Sequence, residues 1–280
     1  MFGKKKKDPN KDMHFLDHLE ALRWHLVRSA IAIVGLAIFA FLNKEILFDL
    51  IILAPKEPDF FTYQTLCRLS ERTGIDMCIR EIPFNLININ ISGQFTTHIF
   101  VSLVAGFVLA FPYFIWEVWR FITPALSVKE RSYSRGVVFF STLLFLIGIL
   151  FGYFVISPLS VNFLGSYQIS ETVTNQISLN SFISTITILT FSCGMVFELP
   201  IIVYFLSKVG VVTPAFMRKY RKHAMIINLI LAAFITPSPD VASQMLVAIP
   251  LFLLYELSIG VSAMVERRNR ARDLQEGAGQ

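Results

Sequence analysis

Apolar residues gather into six runs along the chain, His25–Leu42, Ile99–Trp119, Gly136–Leu159, Ser181–Ser207, Ala224–Ile235 and Met245–Val265, and polar segments separate them. An α-helix rises about 1.5 Å per residue and a bilayer's hydrocarbon core is about 30 Å thick, so about 20 apolar residues cross it. Four runs meet that length comfortably. The fifth, 12 residues between His223 and Thr236, would cover only about 18 Å. Such a helix must thin the bilayer locally, or sit where neighbours and water solvate its ends. Ahead of the first run, Phe15, Leu19, Leu22 and Leu26 recur at helical spacing with Asp17, Glu20 and Arg23 between them. That pattern predicts a short amphipathic helix, running from His14 to Trp24, on the membrane surface. The expected fold class is therefore an all-α membrane protein of six transmembrane helices preceded by a surface helix.

Composition agrees with that reading. The chain has 54% hydrophobic and 16% charged residues, where a soluble globule carries about 25% charged. A soluble nucleotide- or nucleic-acid-binding domain would need far more polar surface, and 27 Phe exclude disorder except at the ends.

The net charge of +5 carries information through its placement. Lys and Arg number 6 in residues 1–23, 4 in 120–135, 5 in 208–223 and 4 in 266–280. The alternate segments hold 5 in residues 43–98, beside 7 acids, and none in 160–180 or 236–244. The positive-inside rule then puts both termini in the cytoplasm, which six crossings also require. Residues 1–12 read as a basic cytoplasmic tail drawn to anionic lipid, 13–265 as the six-helix membrane domain, and 266–280 as a cytoplasmic C-terminal tail. Lys4 to Lys7 give the first run the look of a secretory signal. No small-residue cleavage site follows it, since Phe41-Leu42-Asn43-Lys44 is the wrong chemistry.

Cys67 and Cys78 both fall in the first outside loop. In an oxidising compartment they can pair, stabilising that loop by about 2–4 kcal/mol; the alternative is two free thiols. Cys193, inside the fourth span, reads as core packing.

Catalytic chemistry finds no footing here. No G-x-S-x-G elbow occurs, no His lies mid-span, and no Walker or Rossmann glycine pattern is present. His14 and His18 are one turn apart but lack the H-E-x-x-H pattern or nearby Cys ligands, so no metal site is expected. No cofactor and no enzymatic activity are expected. Transport, receptor or assembly work remains.

A few residues stand out against lipid. Glu198 lies 10 residues before Lys208, hence about 15 Å below the membrane edge. An ionisable group at that depth is costly and should face protein or a water cavity. Pro200 removes a helix donor two residues later and should kink the helix there. Glu256 is similarly deep in the sixth run, and function and structure are equally good readings of it. Arg28, four residues inside the first run, can snorkel to the headgroups. Lys129-Glu130-Arg131 follows Trp119, Phe121, Pro124 and Leu126, whose apolar side chains would hold that loop against the membrane.

Read together, these motifs are specific. They are His18-Leu19-Glu20-Ala21-Leu22-Arg23; Val118-Trp119-Arg120-Phe121-Ile122-Thr123-Pro124-Ala125-Leu126 leading to Glu130-Arg131; Phe197-Glu198-Leu199-Pro200; and Thr236-Pro237-Ser238-Pro239-Asp240-Val241-Ala242-Ser243-Gln244 before Ala248-Ile249-Pro250. In this order, from about residue 15 to 262, the chain strongly resembles the TatC family of twin-arginine protein translocases.

The resemblance implies a cupped, glove-like helical bundle in the bacterial inner membrane, with helices five and six short. It would bind the twin-arginine signal peptides of folded cargo, associate with further TatC copies, and recruit TatA- and TatB-type single-span proteins for export driven by the proton motive force. Glu130, Arg23 and Phe121 match family positions for signal-peptide binding, Glu198 and Pro200 a contact for a partner helix, and Pro55, Asp240 and Gln244 outside loops used in assembly. Two adjacent arginines need carboxylates, ideally bidentate, at a site of reduced dielectric. The chain departs from the family's H-L-x-E-L-R motif by placing Ala21 where the glutamate belongs. Glu20 is offset from that face by about 100° and Asp17 lies one turn before it, so these two are the candidates to serve in its place. The Cys67–Cys78 region makes the first outside loop longer than the family needs.

The main competing reading is a proton-coupled secondary transporter using Glu198, which predicts an internal repeat. The Phe-Glu-Leu-Pro segment has no counterpart in the first half of the chain. A pure scaffold would not require carboxylates at both surface and midplane.

Overall fold

The computed structural model describes residues 15–74, 78, 84–123, 134–167, 170, 175–236 and 241–277. Helix α1, Phe15–Leu42, is followed by a π-helical turn at Ile46–Ile52, a short 3-10 turn at Ala54–Lys56 and helix α2, Phe61–Thr73. Strand β1, Asn85–Ile87, leads into the 30-residue helix α3, Gly93–Ile122. Helix α4, Ser134–Phe151, continues through a π-helical turn at Gly152–Ile156 into α5, Ser157–Ser166. After β2, Gln176–Ser178, come α6, Leu179–Val196, α7, Leu199–Lys208, and the short α8, Pro214–Lys219. Helices α9, Arg221–Ile235, and α10, Val241–Gly277, complete the chain.

Among the described residues, five segments are long and apolar enough to cross a membrane: Leu19–Leu42, Gly93–Ile122, Gly136–Ser166, Leu179–Lys208 and Gln244–Ala271. The fifth apolar run becomes α9, whose 15 residues reach only about 22 Å.

Two expectations are corrected. The amphipathic segment ahead of the first span is not a separate surface helix, because α1 runs unbroken from Phe15 to Leu42. No Pro or Gly interrupts residues 15–34, so nothing halts the helix at the membrane edge. Of the two C-terminal helices expected to be short, α9 is short and α10 is not, at 37 residues. Residues 266–277 continue α10 as helix. That stretch is rich in Arg, Glu, Leu, Gln and Ala, and Glu266 pairs with Arg270 one turn on.

The helices run alternately up and down. The start of α1 therefore meets the end of α3, where His25 bonds Glu117, and the end of α1 meets the start of α3, where His98 Nε2 is 3.1 Å from the Phe41 carbonyl. We call the side at which α1 begins and α10 ends the terminal face, and the other the opposite face.

Close backbone approach holds the spans together. A methyl group at Gly106 would lie 2.5 Å from the Ala37 backbone nitrogen, so α1 and α3 can meet there only over glycine. At Gly148 it would lie 2.8 Å from the Phe197 side chain, which fixes α4 against α6 beside the Glu198 kink. Small residues at helix contacts are how membrane helices gain packing where lipid tails provide no hydrophobic contrast. The core between them is aromatic and aliphatic: Phe111 stacks on Phe145 at 3.6 Å, and Ile156, Ile186 and Leu189 are fully buried.

On the opposite face, β1 and β2 form a three-residue parallel pair, Asn85 with Gln176 through Ile87 with Ser178. Among the described residues this is a small addition to a mainly helical protein. Helix α2 docks there through Tyr63, whose hydroxyl donates to the carbonyls of Pro55, at 2.9 Å, and Pro158, at 3.3 Å. Burial raises the pKa of that hydroxyl well above its ordinary value, so it remains a donor. Cys67 of α2 is joined to Cys78 by a disulfide.

Candidate functional site

Chemistry that is unusual for lipid surroundings concentrates at two carboxylates. Glu117 lies five residues before the end of α3, in a helix whose run Phe107–Trp116 is otherwise apolar. It is 4% exposed, with a polar partner on each oxygen. His25 Nδ1 of α1 bonds its Oε2, Tyr113 donates to its Oε1 at 2.9 Å from one turn back, and the Arg28 guanidinium stands 3.9 Å from Oε2. Phe121, one turn further along α3, meets the His25 ring edge-on with centroids 6.1 Å apart. In the sequence alone Arg28 reads as a snorkelling side chain and Glu117 does not stand out. An acid inside an apolar run, facing a His and an Arg three apart on the neighbouring helix, was the available signal, but only the α1–α3 pairing joins them.

Glu198 forms the second site. It sits at the junction of α6 and α7, where the chain leaves one helix at Val196 and resumes at Leu199. Pro200 occupies the first turn of α7 and cannot donate to the carbonyl one turn back, which accounts for the break. Glu198 is 7% exposed. Ser141 of α4 donates to its Oε2 at 2.6 Å, while its Oε1 has no hydrogen-bond partner among the described residues. Buried acceptors normally have one, so this oxygen is open to a donor that the described residues do not supply.

Other flagged residues have quieter surroundings. Glu256 forms a two-point ion pair with Arg221, Nη2 to Oε2 and Nε to Oε1 both at 2.9 Å, tying α10 to the start of α9; that favours the structural reading. Tyr255 adds a hydrogen bond to the Met217 carbonyl of α8, and Ser207 donates to Ser262 at 2.7 Å between α7 and α10. Gln244 Nε2 donates to the Leu229 carbonyl at 3.0 Å, locking the start of α10 to α9. Pro55 is buried under Tyr63. Glu20 is exposed on α1 with Ala21 half-buried beside it, and Arg23 lies over the Trp24 ring at 5.7 Å. Asp17 lies on α1, whose first turn has no described side chains, while Glu130, Pro124 and Asp240 fall outside the described residues.

The stretch of chain that carries this geometry also matches a known family. A model of the family "Sec-independent protein translocase protein (TatC)" matches residues 17–250. The chain belongs to the TatC family. It is 39% identical over 265 residues to the Sec-independent protein translocase protein TatC of Blattabacterium sp. subsp. Periplaneta americana, covering 94% of this chain and 99% of that one. With the TatC of Aquifex aeolicus it shares 34% identity over 259 residues, 92% of this chain and 98% of the other. Two crystal structures of the twin-arginine translocase receptor TatC superimpose on it. One has a TM-score of 0.67 and 31% identity, covering 89% of this chain and 99% of that one. The other, in DDM, has a TM-score of 0.69 and 34% identity over 88% and 99%. TatC proteins are components of a protein translocase rather than enzymes, and the multi-span helical architecture of this chain is theirs.

Proposed function

We propose that this TatC protein is the receptor of a twin-arginine translocase in a bacterial inner membrane, with its terminal face, and so both chain ends, in the cytoplasm. The crowding of Lys and Arg into segments on the terminal face supports that orientation. In this reading Glu130 supplies a carboxylate to the arginine pair of the signal peptide. Phe121 provides an apolar contact, Arg23 helps to shape the site, and Asp17 and Glu20 contribute the negative charge that Ala21 does not.

Translocation of the folded cargo needs partners. Glu198, at the α6–α7 kink with Pro200, meets a transmembrane helix of a TatA- or TatB-type protein. Pro55, Asp240 and Gln244 hold the opposite-face loops in the shape that assembly with other TatC copies requires. The proton motive force drives the cycle. The observation that best supports this division of labour is the depth of the two kinds of acid. Glu198 is 10 residues from the end of α7 at Lys208, about 15 Å from the membrane edge, and cannot meet an arginine pair held at the surface.

Photocrosslinking from position 130 to a twin-arginine signal peptide in native membranes tests the assignment. A matched peptide with paired Lys should crosslink much less, since ammonium groups cannot form the bidentate contact. Equal labelling by both peptides would refute it.

A further inference from the structure

We infer that Glu117 is the deeper carboxylate of the signal-peptide site, receiving one guanidinium of the arginine pair where the surface helix lacks an acid at Ala21. This rests on the signal-peptide reading above. The first observation is placement. Ala21 is one turn before His25 on α1, so the two share a face. His25 bonds Glu117, and its ring touches Phe121 one turn nearer the terminal face. Because α1 and α3 run antiparallel, the small side chain at Ala21 faces the same level as Phe121. An acid from α3 thus serves the face that α1 leaves without one.

The second observation is depth. Glu117 is five residues from the end of α3 at Ile122, about 7.5 Å. An extended arginine side chain is long enough to span that distance from the surface.

The third is the state of the carboxylate. Tyr113 and His25 orient it, one on each oxygen, and leave a lone pair free on both. Arg28 is its cation but a loose one, at 3.9 Å and with its side chain 46% exposed, where a fork-to-fork pair would close to about 2.8 Å. An incoming guanidinium can therefore take the place of Arg28, replacing a cation by a cation so that the buried charge stays balanced throughout. Removing a buried ion's partner without replacement is what makes such sites costly, and the exchange avoids it. Arg28 then holds the site shut when no signal peptide is present.

Full-length protein in phosphatidylethanolamine–phosphatidylglycerol nanodiscs, titrated with a synthetic twin-arginine peptide and its paired-Lys counterpart, provides the test. Glu117→Gln keeps the size and one acceptor of the side chain, and should weaken binding of the twin-arginine peptide about tenfold while leaving the paired-Lys peptide unchanged. Ala21→Glu added to Glu117→Gln should restore most of the loss. Arg28→Gln should tighten binding about threefold, by removing the resident competitor. Unchanged binding by Glu117→Gln overturns the inference while leaving the receptor reading intact, provided Glu130→Gln still loses binding. Loss without rescue by Ala21→Glu, or weaker binding by Arg28→Gln, also overturns it, since both mark a purely structural role. If the unmodified protein does not distinguish the two peptides, the receptor reading fails first and the inference with it.

Discussion

Two glutamates in this protein are buried to nearly the same degree, Glu117 at 4% and Glu198 at 7% exposure, and they are chemically unlike. Glu117 is held from two helices by an imidazole and a phenol, with a guanidinium nearby. Glu198 has one serine hydroxyl and an oxygen without a partner among the described residues. Burial alone therefore says little about what an acid does. A carboxylate supplied with polar partners and a cation by its own chain resists removal and trades that cation like for like. One supplied with a single neutral donor contributes little to the fold and keeps its capacity for something that arrives later.

The largest expected effect breaks the comparison on the Glu198 side. Glu198→Ala should leave signal-peptide docking intact yet reduce export of folded cargo, and recruitment of TatA, by about tenfold or more, as loss of one or two hydrogen bonds in a low-dielectric contact would. Glu198→Gln should be milder, since the amide keeps a donor and an acceptor. Wild-type export by the alanine variant would end the partner-contact role, and loss of docking would place Glu198 in the fold.

Stability should show the reverse ranking. Glu117→Ala strands His25 and Tyr113 and should cost about 2 kcal/mol, against less than about 1 kcal/mol for Glu198→Ala, which removes an unpartnered acceptor along with its bond to Ser141. Thermal unfolding of both variants in one detergent gives the comparison. Equal shifts in melting temperature would mean that the different partner sets have no energetic consequence.

A smaller effect separates surface charge from the deeper acid. Asp17→Asn with Glu20→Gln should weaken signal-peptide binding about threefold, more than either change alone, and Ala21→Glu should recover it. A double variant that binds as well as the parent would leave Glu130 and Glu117 as the acids that matter.

The smallest concerns the opposite face. The Cys67–Cys78 bond ties α2 to the chain that follows it, and neither cysteine contacts Glu117 or Glu198 among the described residues. Alkylation in native membranes should label neither thiol until reductant is added, and Cys67→Ser should leave docking unchanged. Full labelling without reductant would show the thiols free.

The spans, their order and the kink at Pro200 were legible in the sequence because each depends on local properties: apolar run length, helix breakers and the depth of an acid counted in residues. So was Glu198, since a lone carboxylate between Phe197 and Leu199 needs no tertiary context to look costly. Helix ends were less legible. Membrane polarity does not terminate a helix, so α1 begins ahead of its apolar run and α10 outlasts its own until Gly277, both on intact backbone hydrogen bonds. The pairings were not legible at all. Glu117 and His25 are 92 residues apart and Arg221 and Glu256 are 35 apart, and no periodicity along one helix says which face another will present to it. Only the close approach of α1 and α3 over Gly106, the packing of α9 on α10 and that of α4 against the α6–α7 junction decided that one buried acid would be paired in advance, that Glu256 would be structural, and that Glu198 would keep an oxygen unclaimed among the described residues.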